Sequence, residues 1–295
     1  MLHGLMVVNA FLKTNKFDDI YHTLSVAAEK EEIHLDVLTN AEVTAQLCTG
    51  VFSAEAFDFC LFWDKDVQLA MLLEQEGMRL FNSADAIRKC DDKALTWLSL
   101  RGDSSIRMPE TILAPKTFSN IGYPHMDFLE SIADTFGFPV VVKECFGSFG
   151  QQVYLAENME ELRALTKQHQ GTPLLFQKPV AESMGRDVRI NVVGERIVAS
   201  ILRHSNNGDF RSNLTLGGSM EPYTPTEAEA QLALGTVKRL GLDYAGVDVL
   251  FGQEGPILCE VNSNAHFKTT LECTGVNMAD DIMRHIKTSI KREKK

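Results

Sequence analysis

The chain has 295 residues, of which 44% are hydrophobic and 23% are charged, and its formal net charge is −11. This acidic balance argues against nucleic acid as the main partner, because phosphate backbones are bound by Lys and Arg. No apolar run reaches membrane-spanning length, and the apolar N-terminus lacks the basic residues and the cleavage site of a signal peptide.

Residues 1–82 alternate apolar runs with helical patterns. Strands are predicted at 6–10, 34–38 and 57–62, with a helix at 18–31. Alternating strands and helices imply a small parallel sheet with helices on its faces. Neither a Gly-x-Gly-x-x-Gly turn nor a Gly-x-x-x-x-Gly-Lys loop is present, so this region is not an ordinary Rossmann or P-loop site.

The middle of the chain reads as a compact α+β unit. Helices are predicted at 128–136 and 159–168, and strands at 139–143, 152–156 and 174–177. The turn at 145–150 contains Gly147 and Gly150, which can bring backbone N–H groups against phosphate oxygens, with Lys143 as a nearby point charge. An ordinary hairpin turn is the alternative. Lys93, in the first turn of an earlier helix, is unfavourable to the helix dipole, although a solvated lysine also explains it.

The next strands carry alternating polar residues. Asp187, Arg189 and Asn191 fall on one face of a strand by period-two counting. Arg203 and Arg211 follow, and with Arg189 they form the kind of cluster that an acidic protein needs to hold a polyphosphate. A solvated strand face is the alternative.

A hairpin is predicted from the apolar runs 245–251 and 257–261. If residues 253–255 form its loop, Asp248 lies opposite Glu260, and Asn262 shares their face. Two facing carboxylates repel each other unless a cation lies between them, and oxygen ligands on rigid strands suit magnesium that is also held by phosphates. The alternative, in which Asp248 points outward and Glu260 ends an edge strand, is equally compatible with this stretch.

Taken in order, these pieces resemble the ATP-grasp superfamily, and specifically the RimK-type amino-acid (alpha-L-glutamate) ligases. The resemblance runs from about residue 82 to residue 282. The motifs that carry it are Asn82-Ser83-Ala84, Asp92-Lys93, Val141-Val142-Lys143, Gly185-Arg186-Asp187-Val188-Arg189, Asp209-Phe210-Arg211-Ser212-Asn213-Leu214 with Gly217-Gly218, Ala245-Gly246-Val247-Asp248 and Glu260-Val261-Asn262.

The resemblance implies a mixed α/β and α+β architecture, the ATP-grasp fold. An N-terminal Rossmann-like domain would span residues 1–85, a central lid 86–180, and a C-terminal antiparallel-sheet domain 181–295. ATP would lie between the lid and the C-terminal sheet.

The resemblance also implies roles for individual residues. Lys93 and Lys143 would contact phosphates, and Gln177, Lys178, Pro179 and Val180 would line the adenine edge through their backbone. Asp187, Arg189, Arg211, Ser212 and Asn213 would bind the nucleotide. Asp248, Glu260 and Asn262 would hold one or two Mg²⁺, with Mn²⁺ as a possible substitute. Arg203, Arg211 and Asn213 would face the transferring phosphate and the acyl centre.

The implied reaction is ATP-dependent ligation of a carboxylate to an amine, through an acyl phosphate and with release of ADP. The acceptor of an amino acid such as glutamate would be a protein, a peptide or a small molecule. The alternative is a nucleotide-binding regulatory protein without turnover. A homo-oligomer is possible, and six cysteines without Cys-x-x-Cys or zinc spacing point to the reducing cytoplasm.

Three departures from the ribosomal-protein glutamate ligases concern substrate recognition. Lys178 stands where many relatives have an acidic residue. Thr215-Leu216 replaces basic residues, and the stretch after Asn262 lacks Pro-Gly. His266 and Lys268, shortly after that strand, are either acceptor-side residues or the exposed start of a helix.

Overall fold

The computed structural model describes residues 1–12, 14–147, 150–212 and 217–293. Its first sheet is parallel, with the strand order β2-β1-β3-β4. All five residues of β3 are buried, as expected for a strand covered by helices on both faces. The predicted small parallel sheet is confirmed. Its elements are β1 (Leu2–Val8), α1 (Asn15–Lys30), β2 (Ile33–Thr39), α2 (Asn40–Thr49), β3 (Phe59–Trp63), α3 (Val67–Gln75) and β4 (Leu80–Phe81).

The second sheet is antiparallel, with the order β5-β8-β6-β7. Its inner face packs Val140, Val142 and Phe176 against α6 and α7. The short strand β5 was not predicted from the sequence. The elements in this part are α4 (Ala84–Asp91), α5 (Lys93–Leu100), β5 (Thr111–Leu113), α6 (Phe128–Phe136), β6 (Val140–Glu144), β7 (Val153–Ala156), α7 (Met159–Gln168) and β8 (Leu174–Gln177).

The third sheet is also antiparallel, with the order β11-β10-β9-β12-β13. One parallel and two antiparallel sheets with flanking helices confirm the mixed α/β and α+β class. Strand β11 was not predicted. The elements are β9 (Arg186–Val193), β10 (Arg196–His204), β11 (Ser219–Pro222), α8 (Glu227–Leu240), β12 (Tyr244–Gly252), β13 (Gly255–Asn262), α9 (Lys268–Thr274) and α10 (Met278–Glu293).

The C-terminal helix α10 packs against both the third sheet and the first. Its apolar face shares one core cluster with α1 and with the first sheet, through Ile282, Met283 and Ile286. The proposed domain boundaries near residues 85 and 180 stay predictions. Among the residues that the structure describes, no helix has both the length and the apolar character needed to cross a bilayer.

The side chain of Asn82 joins the first sheet to the third. This residue is fully buried. Its amide nitrogen donates to the carbonyl oxygens of Tyr244 (2.9 Å) and Ser263 (3.0 Å), and its amide oxygen accepts from the backbone N–H of Asp243 (2.6 Å) and Tyr244 (3.2 Å). One side chain therefore satisfies four backbone groups at the junction between the two sheets.

We expect the Asn82→Ala variant to lose at least about 3 kcal/mol of unfolding free energy, because each buried polar group left without a partner costs about 1–3 kcal/mol. Asn158→Ala is the comparator, since Asn158 caps α7 by accepting from the backbone of Glu161, a contact worth about 1 kcal/mol, and its other hydrogen bond, to the Glu161 carboxylate, is exposed. Urea unfolding followed by circular dichroism measures both. Equal destabilisation by the two substitutions would contradict the role given to Asn82.

Candidate functional site

One face of the third sheet gathers the charged side chains that the sequence singled out. Arg203 of β10 is in register with Asp187 of β9, and Arg189 of β9 is in register with Asp248 of β12. Asp248 is in turn opposite Glu260 of β13. Residues that pair across strands share a face, so these five side chains project from the same side of the sheet.

Four of these side chains form a buried ionic network with two charges of each sign. Arg203 donates to both carboxylate oxygens of Asp187, from Nε to Oδ1 at 2.7 Å and from a terminal nitrogen to Oδ2, and the same terminal nitrogen lies 3.0 Å from Oδ2 of Asp248. Arg189 also donates to both oxygens of Asp248, at 2.8 Å for Oδ2. Buried charges are tolerated when they are paired and hydrogen-bonded, and each of these four has such a partner.

Asp248 is kept ionised by this network. Only 2% of the residue is exposed. Burial pushes the pKa of the Asp248 carboxyl upward, but the adjacent guanidinium groups of Arg189 and Arg203 outweigh burial and hold this pKa well below its usual range. The carboxylate therefore carries its negative charge at neutral pH and can accept hydrogen bonds or bind a cation.

Arg189 reaches Asp248 because residue 246 is glycine. A Cβ atom on Gly246 would lie 2.8 Å from Cβ of Ala265 and 3.1 Å from Cδ of Arg189. Such distances force one of these neighbours to move. Because Gly246 has no side chain, the aliphatic part of Arg189 has room to lie beside this residue of β12.

We expect Gly246→Ala to lower the unfolding free energy by about 1–3 kcal/mol, the usual range for inserting a methyl group into a packed site. The double variant Gly246→Ala/Ala265→Gly removes the closest obstructing atom and should recover most of that loss. Urea midpoints of the two variants and of the wild type measure the effect. A single variant as stable as the wild type would show that the contact is not restrictive.

The hairpin β12–β13 has the predicted pairing but a different turn. Gly252 pairs with Gly255, so the loop has two residues instead of the predicted three. A bulge at Cys259 then shifts the register by one residue and brings Asp248 opposite Glu260. Bulges that redirect side chains are common beside functional sites. The predicted pairing of Asp248 with Glu260 is thus confirmed, whereas the predicted loop length is wrong.

Glu260 and Asn262 lie side by side on β13. Nδ2 of Asn262 is 3.2 Å from Oε1 of Glu260. Asp248 accepts three N–H groups from the two arginines, whereas a carboxylate offers about four lone-pair positions. Two carboxylates and an amide oxygen on adjacent strands are the hard donors that Mg²⁺ prefers, so the donor set fits this ion. Asp248 also accepts hydrogen bonds from the two arginines, and the sequence did not predict this pairing.

Two neighbouring clefts lie between the second and the third sheet, with empty volumes of about 780 Å³ and about 560 Å³. These volumes include space that is open to solvent, and concave sites with several convergent polar groups are where proteins commonly bind small molecules and cofactors. Glu260 lines both clefts, and so do Lys143, Gln177 and Cys259. The larger cleft also contains Asp187, Arg203, Arg211, Ser212 and Asp248, and the smaller one contains Lys93 and Asn262.

Lys143 is a positively charged residue that lines both clefts. It lies on β6, and 8% of the residue is exposed. Within the described part of the chain its ammonium group forms no hydrogen bond and no ion pair, unlike the four charges of the buried network. The residue is largely buried, but its ammonium nitrogen is not one of the fully enclosed polar atoms that lack a partner, and it faces the open space of both clefts. Its position between the two clefts therefore favours an anion as its partner.

Lys93 begins α5 beside the glycine turn. The carboxylate of Asp92 caps this helix by accepting from the backbone of Ala94 (2.8 Å) and Leu95. Nζ of Lys93 is 3.2 Å from the carbonyl oxygen of Gly147, and the backbone N–H of Lys93 donates to Cys145. The structure thus places Lys93 and the described part of the turn together at the smaller cleft.

Residues 177–180 form one wall of the larger cleft. The backbone N–H of Lys178 donates to the carbonyl of Glu110 (3.0 Å), and its ammonium group also pairs with Glu110 at 3.0 Å. Nε2 of Gln177 donates to Thr111 at 2.9 Å. The Lys178 side chain is therefore directed to Glu110, while Pro179 and Val180 line the cleft.

Arg211 connects the loop after β10 to the second sheet and to the residue at the end of its glycine turn. Its guanidinium pairs with both carboxylate oxygens of Asp209 and donates to the carbonyl oxygens of Gly150 (2.8 Å) and Val153 (3.2 Å). Ser212 is buried and forms a hydrogen bond with Asp187. Asn213, predicted as a catalytic and nucleotide-binding residue, lies outside the described residues, and so do Thr215 and Leu216.

His266 and Lys268 face the N-terminal part of the chain. Lys268 forms an ion pair with Asp19 of α1, and the ring of His266 packs edge-on against Phe17, with centroids 5.9 Å apart. The exposed helix start describes Lys268, which is the first residue of α9 and whose ion pair with Asp19 is at the surface, whereas the ring of His266 is half-buried against Phe17.

Sequence reasoning missed a polar cluster at the carboxyl ends of β1 and β3. Nδ2 of Asn9 lies 3.1 Å from Oδ1 of Asp64, and Asn264 donates to the backbone carbonyl of Asp64 at 2.7 Å. Burial raises the pKa of the Asp64 carboxyl. The signal was available, since Asn9 and Asp64 directly follow buried parallel strands, where α/β proteins commonly bind ligands.

Comparison with known proteins places this site in a family context. The profile of the RimK-like ATP-grasp domain matches residues 91–286. The chain is 37% identical to human N-acetylaspartylglutamate synthase A over 208 residues, which are 69% of this chain and 51% of that protein. It is 35% identical over 225 residues to the probable alpha-L-glutamate ligase 1 of a Shewanella species, covering 75% of this chain and 71% of the relative.

The fold has a solved counterpart in the D-alanine–D-alanine ligase of Bacillus anthracis, whose structure was determined with ATP. The two structures superpose with a TM-score of 0.75 over 100% of this chain and 99% of the ligase, at 18% sequence identity. This similarity supports the ATP-grasp fold and does not extend to substrates.

Proposed function

This chain belongs to the RimK-like ATP-grasp family and is an ATP-dependent ligase that joins a carboxylate to an amine, and from that premise we propose that the amine is glutamate and that the two clefts hold MgATP. The observation that carries the proposal for the nucleotide is Lys143. Its ammonium group faces both clefts and lacks a partner among the described residues, and a triphosphate would supply one.

We assign the nucleotide contacts as follows. Lys143 and Lys93 bind phosphate oxygens, and the segment 177–180 lies along the adenine. The phosphate end of the larger cleft is formed by Asp187 and Ser212, and Arg189 follows Asp187 on the same face of β9. The contact of Arg211 with the lid backbone at Gly150 and Val153 holds the lid over the nucleotide.

Asp248, Glu260 and Asn262 would hold one or two Mg²⁺, with Mn²⁺ as a substitute. When bound, the metal neutralises phosphate charge that would otherwise repel an incoming carboxylate. Arg203, in contact with Asp187 and Asp248, stabilises the same developing charge from the protein side, and Arg211 and Asn213 lie on the loop nearest to it. The role of Asn213 rests on the family resemblance alone.

The reaction proceeds in two displacements. A carboxylate oxygen attacks the γ-phosphorus of ATP, the bond to ADP breaks, and an acyl phosphate forms. The amine nitrogen then attacks the acyl carbon, the carbon–oxygen bond to phosphate breaks, and the amide forms with loss of a proton from nitrogen. The protein contributes positioning and charge neutralisation, and no covalent enzyme intermediate is needed.

Glutamate is proposed because both relatives carry it in their names, one as a ligase and the other as a synthase of a glutamate-containing product. The chain spans about half of the human synthase, so the acid is left open. We also propose that the enzyme acts in the cytoplasm, since it uses ATP and its six cysteines are free thiols.

The test is ADP release from MgATP and L-glutamate with a panel of acids: N-acylated amino acids, dicarboxylic and tricarboxylic acids, and glutamate-terminated peptides. We expect one or more acids to give ADP and amide in equal amounts, and Glu260→Gln to abolish both. Replacing glutamate by other amino acids identifies the amine. Tight MgATP binding with no ADP for any acid would instead support a regulatory nucleotide-binding protein.

A further inference from the structure

Two histidines and one aspartate meet on the parallel sheet, at the end remote from the clefts. His3 of β1 is in register with His34 of β2, and Asp36 follows on the same face of β2. Nε2 of His3 lies 3.0 Å from Oδ2 of Asp36, and Nε2 of His34 lies 3.1 Å from its Oδ1. The two imidazole rings are 4.9 Å apart between centroids.

The three side chains bring their potential ligand atoms close together. One atom from each residue, two imidazole nitrogens and one carboxylate oxygen, lies within 4.8 Å of the others. All three ligands are carried by hydrogen-bonded strands, and the ring of Phe57 packs on that of His3 at 4.9 Å. The backbone N–H of His3 donates to Asp58 at 2.8 Å, which further fixes this end of β1.

We propose that His3, His34 and Asp36 form a binding site for a divalent transition-metal ion of the Zn²⁺ type. Two neutral imidazoles and a carboxylate are a common ligand set for such ions and differ from the all-oxygen set that suits Mg²⁺. The side chain of His34 is 60% exposed, so solvent can reach the ion and complete its coordination. The site does not depend on the ligase reaction.

The position of this site separates it from the nucleotide. From His3 to Asn9, strand β1 rises by about 20 Å, at about 3.3 Å per residue, and Asn9 is at the end that meets the third sheet. β2 is the edge strand of its sheet. An ion shared by His3 and His34 would therefore fasten this edge strand to β1, a structural role.

The test is calorimetric titration of the tag-free protein with ZnCl₂ at pH 7.5. We expect one site, and binding weaker by more than about 10-fold in His34→Ala and in Asp36→Asn, since even loss of a supporting outer-shell group weakens metal binding by about 10- to 100-fold. Zn²⁺ should also raise the Tm of the wild type, because an ion that binds the native state stabilises it.

His22→Ala is the matched control, because His22 is an exposed histidine on α1 outside this cluster. It should bind Zn²⁺ as the wild type does. His34→Ala and Asp36→Asn should unfold near the wild-type temperature without Zn²⁺, which separates lost binding from lost folding. Unchanged Zn²⁺ affinity in both variants, or no Zn²⁺ binding by the wild type, would overturn the proposal.

Discussion

Replacing Lys143 with methionine should weaken MgATP binding by about 100- to 1,000-fold while leaving the nucleotide-free protein about as stable as the wild type. A charge pair about 4 Å apart contributes about 4 kcal/mol at an effective dielectric constant of about 20, and each 1.4 kcal/mol is about tenfold in affinity. Without nucleotide the ammonium group faces the clefts and has no partner among the described residues, so an apolar side chain of similar length removes no native contact and should change stability little. Calorimetry with MgATP and thermal unfolding without nucleotide measure the two effects.

Lys178→Met is the control for the Lys143 prediction. Lys178 lines the same cleft, but its ammonium group is half exposed and paired with Glu110. Surface pairs of this kind contribute about 0–1 kcal/mol, so both its affinity for MgATP and its stability should change little. If Lys143→Met bound MgATP normally, or if both lysine variants lost affinity equally, Lys143 would not be the specific phosphate contact.

Replacing Asp248 with asparagine should lower the unfolding free energy by about 3–5 kcal/mol and abolish turnover. The substitution leaves the buried guanidinium groups of Arg189 and Arg203 with Asp187 as their only carboxylate in the network, and an uncompensated buried charge has a cost of that size. Turnover is lost separately, because a neutral amide oxygen replaces a charged carboxylate in the proposed Mg²⁺ site. Urea unfolding and ADP release measure the two losses.

The double variant Asp248→Asn/Arg189→Met separates these two roles. It removes one charge of each sign and leaves the pair of Arg203 with Asp187, so stability should recover by at least about half of the loss, while turnover stays absent. A double variant as unstable as Asp248→Asn would show that the buried network does not balance charge in this way. A double variant that turns over ATP would contradict the role of Asp248 as a metal ligand.

The architecture could be predicted largely from hydrophobic periodicity. Helices α6 and α7 and strand β8 have the predicted bounds, because their apolar spacing and their flanking residues agree. The short strands β5 and β11 were missed. Strand β5 has only three residues and β11 has no apolar run, so neither has a periodic pattern, and both form because β8 and β10 offer an edge to pair with.

The site could be predicted less completely, and the hairpin of Asp248 shows why. Its pairing with Glu260 was right although the loop is one residue shorter than predicted, since the bulge at Cys259 compensates. The pairing of Arg189 with Asp248 could not be read from spacing on one strand, because it joins β9 to β12 and depends on the missing side chain at Gly246.

The contrast between Lys143 and Arg203 was equally hidden in the sequence. Both are buried cations close to the clefts, but one is paired twice and the other lacks a partner among the described residues. Whether each cation has a partner depends on how the second sheet packs over the third, which the sequence alone does not show. The same holds for Asn82, whose four hydrogen bonds reach residues more than 160 positions away.

The central claim is that the carboxylate is activated by ATP as an acyl phosphate. The most direct test of this claim takes an acid that releases ADP in the panel described above and labels its carboxylate with ¹⁸O. The labelled acid is then incubated with the enzyme, MgATP and L-glutamate. Mass spectrometry of the released phosphate should show one ¹⁸O per phosphate, formed together with ADP. Phosphate without label, or AMP and pyrophosphate as products, would contradict the account.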